Sequence, residues 1–222
     1  MNATLPSTAS ALCQCTLSAF NPPNRLWAPV SSRWAPSQVT QQLVLTPRFS
    51  LITQNLDAFS SRPVARAKLL LGGILEESKR PEVIFLQEVT SDVRTYILGN
   101  PKVREAFLVT DAEDQTSFEG VPFSNMTLLS GERFAFDLGP RKEDDGVERG
   151  EKFMLGPVSR VKLPSKYGRC ALSVDIIPLS TPTTTCRLVN VHLDSLGGTF
   201  PYRTKQMEIL ATSCVSLDAV VD

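Results

Sequence analysis

The sequence predicts a mixed α and β fold in which two β-sheets pack together and helices cover their outer faces. Three observations indicate this fold class. A strand, a helix and an apolar strand follow one another between residues 49 and 89. Short β-like runs dominate the chain after residue 100, and a helical pattern returns near Pro201. Two packed sheets with helices outside accommodate this order of elements.

The first of these observations is a βαβ unit. Its first strand is predicted at residues 49–55, where alternate residues share one face of the extended chain: Phe49, Leu51, Thr53 and Asn55. The helix is predicted to begin near Pro63, since proline suits the first turn. Its apolar stripe has helical spacing: Ala67, Leu70, Leu71, Ile74 and Leu75. The apolar strand at 83–89 follows, and a crossover connection would place it parallel to the first strand.

The second half of the chain is predicted to be rich in strands. The β-like runs are EAFLVT, MTLLS, RFAFDL, FMLGPVSRVKL, CALSVDII and CRLVNVHLD. The charged segment 140–152 is predicted to be a solvated loop. The last helix is predicted from near Pro201, with the core-facing stripe Met207, Leu210, Ala211, Cys214 and Val215.

Composition and charge limit the class of protein. The chain has 222 residues with 42% hydrophobic content, which is enough for a sizeable core. Lys plus Arg and Asp plus Glu are both 23, so the formal net charge is zero and no global basic field indicates nucleic acid. Residues 1–47 are rich in Ser, Thr, Pro and Gln and are predicted to be an extension or strap, anchored by Trp27 and Trp34. The domain proper is predicted at 48–222.

Cysteine usage and the N-terminal sequence indicate an intracellular protein. The five cysteines lack metal-ligand spacing, and the single histidine makes a zinc site unexpected. Reduced thiols are the simplest interpretation. The first twenty residues lack the basic and apolar regions of a signal peptide, and no segment approaches the length of a membrane span.

Two polar residues end neighbouring strands of the predicted βαβ unit. Glu88 follows the apolar run VIFLQ, and Asn55 ends the preceding strand. Open α/β sheets bind ligands at the carboxyl ends of their strands, so these residues are candidates for one site although they are distant in sequence. The alternative to a functional role is, for Glu88, simply a strand end that reaches solvent. For Asn55 it is a turn or cap residue.

A third group of polar residues lies in LVNVHLDS (188–195). In an extended chain, Asn190, His192 and Asp194 share one face. A lone histidine is more often structural than catalytic. Its position between Asn and Asp on one face makes a functional role about as probable as a structural one.

These motifs, taken in order, resemble a known enzyme family. QNLD, FLQEV and NVHLDS resemble motifs of the endonuclease/exonuclease/phosphatase superfamily, and YRTKQMEIL (202–210) resembles its Arg-x-x-Gln helix. The branch with the greatest similarity is the 5′-tyrosyl-DNA phosphodiesterases and their fungal-type relatives. FNPPNRLWAPV resembles the segment that precedes the domain in fungal members. The resemblance implies a four-layer α/β/β/α sandwich of two packed sheets.

The resemblance also implies a chemistry and a set of site residues. Glu88 would bind Mg²⁺, with Mn²⁺ as a substitute, while water and substrate phosphate fill the other positions. Asn55 would orient the metal-site carboxylate and contact the phosphate. His192 would donate a hydrogen bond to a phosphoryl oxygen, helped by Ser195 and Asn190. The substrate would be a phosphodiester such as a DNA 5′ end or phosphotyrosyl-DNA, in the nucleus or cytoplasm, without a membrane partner.

The sequence also departs from the family pattern. It contains no Gly-Asp-x-Asn motif after His192 and no second histidine. In the family, those residues engage the attacking water and the transition state. The expectation is therefore a domain that lacks its C-terminal strands and is inactive as this chain. The alternative is a non-catalytic relative that serves as an interaction module. P-loop and nucleophile-elbow motifs do not occur, which argues against other hydrolase classes.

Overall fold

The computed structural model describes residues 12–30, 50–76, 80–135, 153–178 and 184–215. The strands are β1 (Leu12–Cys15), β2 (Leu17–Asn21), β3 (Leu26–Pro29), β4 (Leu51–Asn55), β5 (Val83–Val89), β6 (Phe107–Thr110), β7 (Ser124–Ser130), β8 (Phe134–Ala135), β9 (Phe153–Lys162), β10 (Cys170–Pro178) and β11 (Cys186–Val191). The helices are α1 (Pro63–Glu76), α2 (Ser91–Gly99), α3 (Pro101–Ala106) and α4 (Phe200–Val215).

The strands form two sheets that pack face to face, which confirms the predicted fold class. One sheet has the order β3-β2-β6-β7-β5-β4, and the other has β1-β9-β10-β11 with β8 paired to β9. Between them lies an apolar layer to which both sheets contribute, including Val83, Phe85, Leu172 and Val174. A second apolar layer lies between the six-stranded sheet and helices α1 and α2.

The predicted βαβ unit is confirmed. Strands β4 and β5 are parallel, with Asn55 opposite Gln87 at their carboxyl ends. Helix α1 begins at Pro63 and buries Ala67, Leu71 and Leu75. Phe49, predicted to begin the first strand, lies outside the described residues. Because β4 and β5 end side by side, the structure places the residues that follow them at one edge of the sheet.

Two short helices after β5 were not predicted from the sequence. Their local signals are present, however. The Thr90 hydroxyl accepts a hydrogen bond from Val93 N at the start of α2. Asn100 caps α3, whose first residue is Pro101. The predicted β-like run EAFLVT therefore begins inside α3, and only residues 107–110 form a strand.

Residues 12–30 lie inside the predicted N-terminal extension and contribute strands to both sheets. β1 pairs with β9 in the smaller sheet, and β2 pairs with β6 in the larger one. The indole of Trp27 donates a hydrogen bond to Leu98 O at 3.3 Å. Trp34 and the charged segment 140–152 lie outside the described residues. The predicted domain boundary at residue 47 stays a prediction.

Helix α4 differs from its predicted apolar packing. Met207 is 52% exposed, and Ala211 is exposed as well. Among the helix side chains that the structure describes, the fully buried one is instead Gln206, and the side chains of Cys214 and Val215 lie outside the described residues. The cavity beside Leu210 is lined by polar as well as apolar residues of the sheet, and the polar ones are Ser159, Ser173 and Arg187. Within the described residues, no helix is long and apolar enough to cross a membrane.

Candidate active site

Glu88 occupies a strained backbone position at the end of β5. Its φ angle is 56°, in the left-handed region that non-glycine residues rarely adopt. The pairing of β5 with β7 is irregular between Leu86 and Val89, which is where Glu88 lies. The Glu88 carboxylate accepts hydrogen bonds from Asn55 Nδ2 at 3.1 Å and from Ala58 N at 2.9 Å. Such strain, held in place by neighbouring contacts, is a feature that clusters at functional sites.

The structure brings Asn55 and Glu88 together, as the strand-end argument predicts, and places His192 beside them. His192 follows β11 in the second sheet, and its Nε2 lies 3.6 Å from Glu88 Oε1. The three side chains come from three different elements and both sheets. Asn55 Oδ1 also accepts a hydrogen bond from Asp57 N at 2.8 Å, so the turn after β4 fixes the orientation of the Asn55 amide.

The other side of the His192 ring faces a cation. Arg169 Nη1 lies 3.2 Å from His192 Nδ1. Burial lowers the pKa of His192, and the positive charge of Arg169 lowers it further, while Glu88 opposes the shift. Phe123 stacks on the imidazole with the ring centroids 6.1 Å apart. The imidazole is therefore held between a carboxylate, a guanidinium and an aromatic face.

A cavity of about 640 Å³ opens beside Glu88. We call it the Glu88 cavity. It is lined by residues 120–123, 166–169 and 195–196, together with Phe59 and Glu88. Lys166 and Arg169 contribute positive charge, and Phe59 and Phe123 contribute aromatic surface. This chemistry suits an anionic ligand that carries an apolar or aromatic portion.

The two remaining predicted phosphate-contacting residues have different positions. Ser195 is exposed and lines the Glu88 cavity. Asn190 is fully buried between the sheets, where its amide donates to Met126 O at 2.8 Å and accepts from Gln87 Nε2, also at 2.8 Å. A phosphate cannot reach the Asn190 side chain, because that side chain is fully buried and already hydrogen-bonded to Met126 O and Gln87 Nε2. The predicted phosphate contact of Asn190 therefore does not fit the structure, because its strand face points into the layer between the sheets.

Asp194 is also buried and has a supporting position. Its carboxylate accepts from the Ser165 hydroxyl at 2.7 Å and from Lys166 N at 3.1 Å. Gln206 of α4 accepts from Asp194 N at 3.1 Å and donates to Pro164 O at 2.9 Å. The Arg-x-x-Gln helix thus ties the loop at 164–169 to the residues that follow β11.

The site residues fit a single magnesium ion held by one carboxylate. Each Glu88 oxygen accepts one of the hydrogen bonds described above, which leaves lone pairs for a cation. Glu88 also lines the cavity, so the ion would have space for water and phosphate ligands, as Mg²⁺ prefers. Among the residues that the structure describes, no cluster of three or more His, Cys, Asp or Glu side chains has an arrangement for binding metal.

Sequence reasoning missed Arg169, Phe123 and Lys166. Arg169 and Phe123 contact His192 only through the tertiary fold, and neither belongs to a motif with a known spacing. One local signal was present: Gly168 within KYGR marks a turn and has a φ of 70°. A turn signal indicates a loop, but it does not indicate which site the loop approaches.

Comparison with solved structures shows the fold. The chain is similar to TDP2 (tyrosyl-DNA phosphodiesterase 2) from Caenorhabditis elegans, with a TM-score of 0.52 and 18% identity over 74% of this chain and 41% of that one. It is also similar to D. rerio TDP2 complexed with single-strand DNA product, with a TM-score of 0.52 and 18% identity over 78% of this chain and 56% of that one. A humanized D. rerio TDP2 gives a TM-score of 0.51 at 17% identity, over 78% and 60% of the two chains.

Comparisons at the sequence level found no counterpart. No protein-family model matches the chain, and no curated protein matches it significantly. The chain spans between two fifths and three fifths of the length of the solved structures described above. Identity below one fifth establishes the architecture alone. The chain therefore shares the two-sheet α+β sandwich fold of tyrosyl-DNA phosphodiesterase 2.

Proposed function

We propose that the chain contributes to the Mg²⁺-dependent hydrolysis of phosphodiester bonds in DNA, in the manner of a 5′-tyrosyl-DNA phosphodiesterase. The observation that carries the proposal is the Glu88 carboxylate, held by Asn55 and Ala58 N at a strained strand end, 3.6 Å from the only histidine of the chain. The Glu88 side chain is 13% exposed and lines the cavity, so a ligand in the cavity can reach it.

Each residue of the site has a definite part in this proposal. Glu88 would hold the metal, and Mg²⁺ or Mn²⁺, when bound, would neutralise charge on the phosphate. Asn55 orients the Glu88 carboxylate through its 3.1 Å hydrogen bond. His192 presents Nε2 beside Glu88, where it would donate to a phosphoryl oxygen. Ser195 and Lys166 line the same cavity and would provide further donors to phosphate.

The proposed substrate is a single-stranded DNA end. Support comes from the similarity to a TDP2 that was crystallised with single-strand DNA product. The cavity adds a second line of support, since Lys166 and Arg169 suit a phosphate backbone and Phe59 is 77% exposed at the cavity wall. Aromatic side chains and cations together are the usual means of binding single strands.

The test compares Glu88→Gln with Glu76→Gln. Glu88→Gln removes the negative charge of the proposed metal-binding side chain with little change of its volume. Glu76→Gln is the control, because Glu76 lies on α1 in an exposed ion pair with Lys102. Calorimetric titration with Mn²⁺ should show binding to the wild type and to Glu76→Gln, and loss of binding in Glu88→Gln. If the wild-type chain cleaves a 5′-phosphotyrosyl oligonucleotide, the rate should fall on the order of 10²-fold or more in Glu88→Gln. Full cleavage in excess EDTA would rule out the proposal.

A second function, binding without hydrolysis, is favoured by one observation. The sequence has a single histidine and no Gly-Asp-x-Asn motif, so the groups that activate water in the family have no counterpart in it. In that case the chain would be an interaction module that retains the metal- and phosphate-binding residues. Mn²⁺-dependent binding of the oligonucleotide without any cleaved product would favour this function over the first.

A further inference from the structure

Arg169 is a largely buried cation at the wall of the Glu88 cavity. Its side chain is 9% exposed. Its guanidinium lies 4.9 Å from the Phe123 ring centroid and 5.7 Å from that of Tyr167. Its Nε lies 3.4 Å from Asp194 Oδ1, and Asp194 is completely buried. Two aromatic faces and one buried carboxylate therefore surround the guanidinium.

From this place Arg169 reaches the inner nitrogen of His192. Nη1 of Arg169 lies 3.2 Å from His192 Nδ1. A guanidinium has only donors, so His192 Nδ1 has to be the acceptor in this contact. A neutral imidazole carries its single proton on the other nitrogen when Nδ1 accepts. The proton is therefore on Nε2, the atom that lies 3.6 Å from Glu88 Oε1.

We propose that Arg169 is a positioning residue that locks His192 as the Nε2–H tautomer, with this proton directed at the Glu88 side of the cavity. The use of that proton for a phosphoryl oxygen rests on the proposed function, whereas the tautomer itself does not. A His192 protonated on Nδ1 would present a lone pair to the Glu88 carboxylate and could not donate to phosphate.

The arrangement that holds Arg169 extends to helix α4. The carboxylate of Asp194, the partner of Arg169, accepts hydrogen bonds from the Ser165 hydroxyl and from Lys166 N. Gln206 of α4 accepts a hydrogen bond from Asp194 N and donates one to Pro164 O. Phe123 contacts both the guanidinium and the imidazole, so the two groups lie against one aromatic surface. The position of Arg169 relative to His192 is thus set by several independent contacts.

The experiment uses nitrogen NMR of the full chain with ¹⁵N-labelled histidine, in the absence of metal and substrate and at a pH where the ring is neutral. Because His192 is the only histidine, the spectrum contains one imidazole and needs no assignment by mutation. We expect a pyrrole-type Nε2 and a pyridine-type Nδ1, with Nδ1 shifted by its hydrogen bond. Arg169→Met should lose that shift and show averaging between the two tautomers.

The matched control is Lys166→Met, which removes a cation from the same cavity wall and should leave the imidazole spectrum unchanged. A pyrrole-type Nδ1 in the wild type would overturn the proposal, and so would an Arg169→Met spectrum identical to that of the wild type. If Arg169→Met fails to fold, the wild-type spectrum keeps the proposal falsifiable, because a pyridine-type Nδ1 without any hydrogen-bond shift would overturn it. Failure of DNA cleavage would not alter these spectra, so the two proposals fail separately.

Discussion

His192 shows how the surroundings of one side chain set its charge. Burial lowers its pKa from the ordinary value of 6.5, and Arg169 lowers it further. The unfolded chain then binds more protons than the folded one at pH values just below 6.5. Because stability rises with pH wherever the unfolded state binds more protons, the free energy of unfolding should fall as the pH drops below about 6.5.

The measurement is urea denaturation of the wild type and of His192→Gln between pH 7.5 and pH 5.5. The wild type should lose stability over this range, with a slope that stays below about 1.4 kcal/mol per pH unit, the limit for one proton. The variant should show a smaller slope. With one histidine in the chain, no other imidazole contributes. Equal slopes in both proteins would contradict the prediction.

Single residues also show the limit of sequence reasoning. Asn55 and Glu88 were found because parallel strands end at the same edge, which is a rule that needs no tertiary detail. The family resemblance implies a phosphate contact for Asn190, and alternation along a strand does not correct it, because alternation gives the face of a residue but not its depth. In the structure, the face that carries Asn190 is covered by the other sheet, and only the residues that follow β11 approach the cavity.

At the scale of elements, two glycines provide opposite tests of local conformation. Gly73 is exposed within α1, and a Cβ added there would meet nothing within 4 Å. Gly168 has a φ of 70° in the loop beside the Glu88 cavity, and a Cβ there would lie 3.2 Å from Val121 Cγ1. Alanine suits a helix interior and does not suit the left-handed region.

Gly73→Ala should therefore raise the free energy of unfolding by roughly 0.5–1 kcal/mol. Gly168→Ala should lower it by about 1–2 kcal/mol, since a left-handed conformation costs that much for an L-residue with a side chain. Urea denaturation of both variants beside the wild type measures the two changes. If both substitutions changed the free energy of unfolding in the same direction, the backbone conformation described for Gly73 or for Gly168 would be wrong.

Elements differ in how well their sequence predicts them. Helix α1 has a long apolar stripe, and the buried Ala67, Leu71 and Leu75 confirm it. Helices α2 and α3 are short, so their signals are caps rather than stripes: Thr90, Asn100 and Pro101. The apolar residues of α4 suggest core packing, but Gln206 joins the helix to the rest of the structure through one hydrogen bond that it accepts and one that it donates.

At the scale of the whole molecule, a buried polar contact joins the two sheets. Asn190 of the smaller sheet accepts from Gln87 Nε2 and donates to Met126 O, and both of these partners belong to the larger sheet. Gln87 also donates to Thr53 at 3.0 Å. Such a contact fixes how one sheet lies on the other, because any sliding would leave buried polar groups without partners.

Asn190→Ala should lower the free energy of unfolding by about 2–4 kcal/mol, since it removes one hydrogen-bond partner from the buried Gln87 amide and one from the buried Met126 carbonyl. Ser195→Ala, five residues further along the chain and exposed, should change it by no more than about 0.5 kcal/mol. Thermal or urea denaturation separates these cases. A mild effect of Asn190→Ala would show that the sheets are held by their apolar layer alone.

The pairing of β1 with β9 has a consequence for the order of events during synthesis. Leu12 lies opposite Val161, so β1 emerges from the ribosome long before its partner exists. β2, which follows at once, waits a shorter time for β6. Contacts between such distant segments form slowly, because closing the long intervening loop costs conformational entropy before the contacts can stabilise the chain. The earliest described strand is thus among the last to be paired, and completion of the smaller sheet is the step at which a nascent chain is most exposed to chaperones and to neighbouring copies.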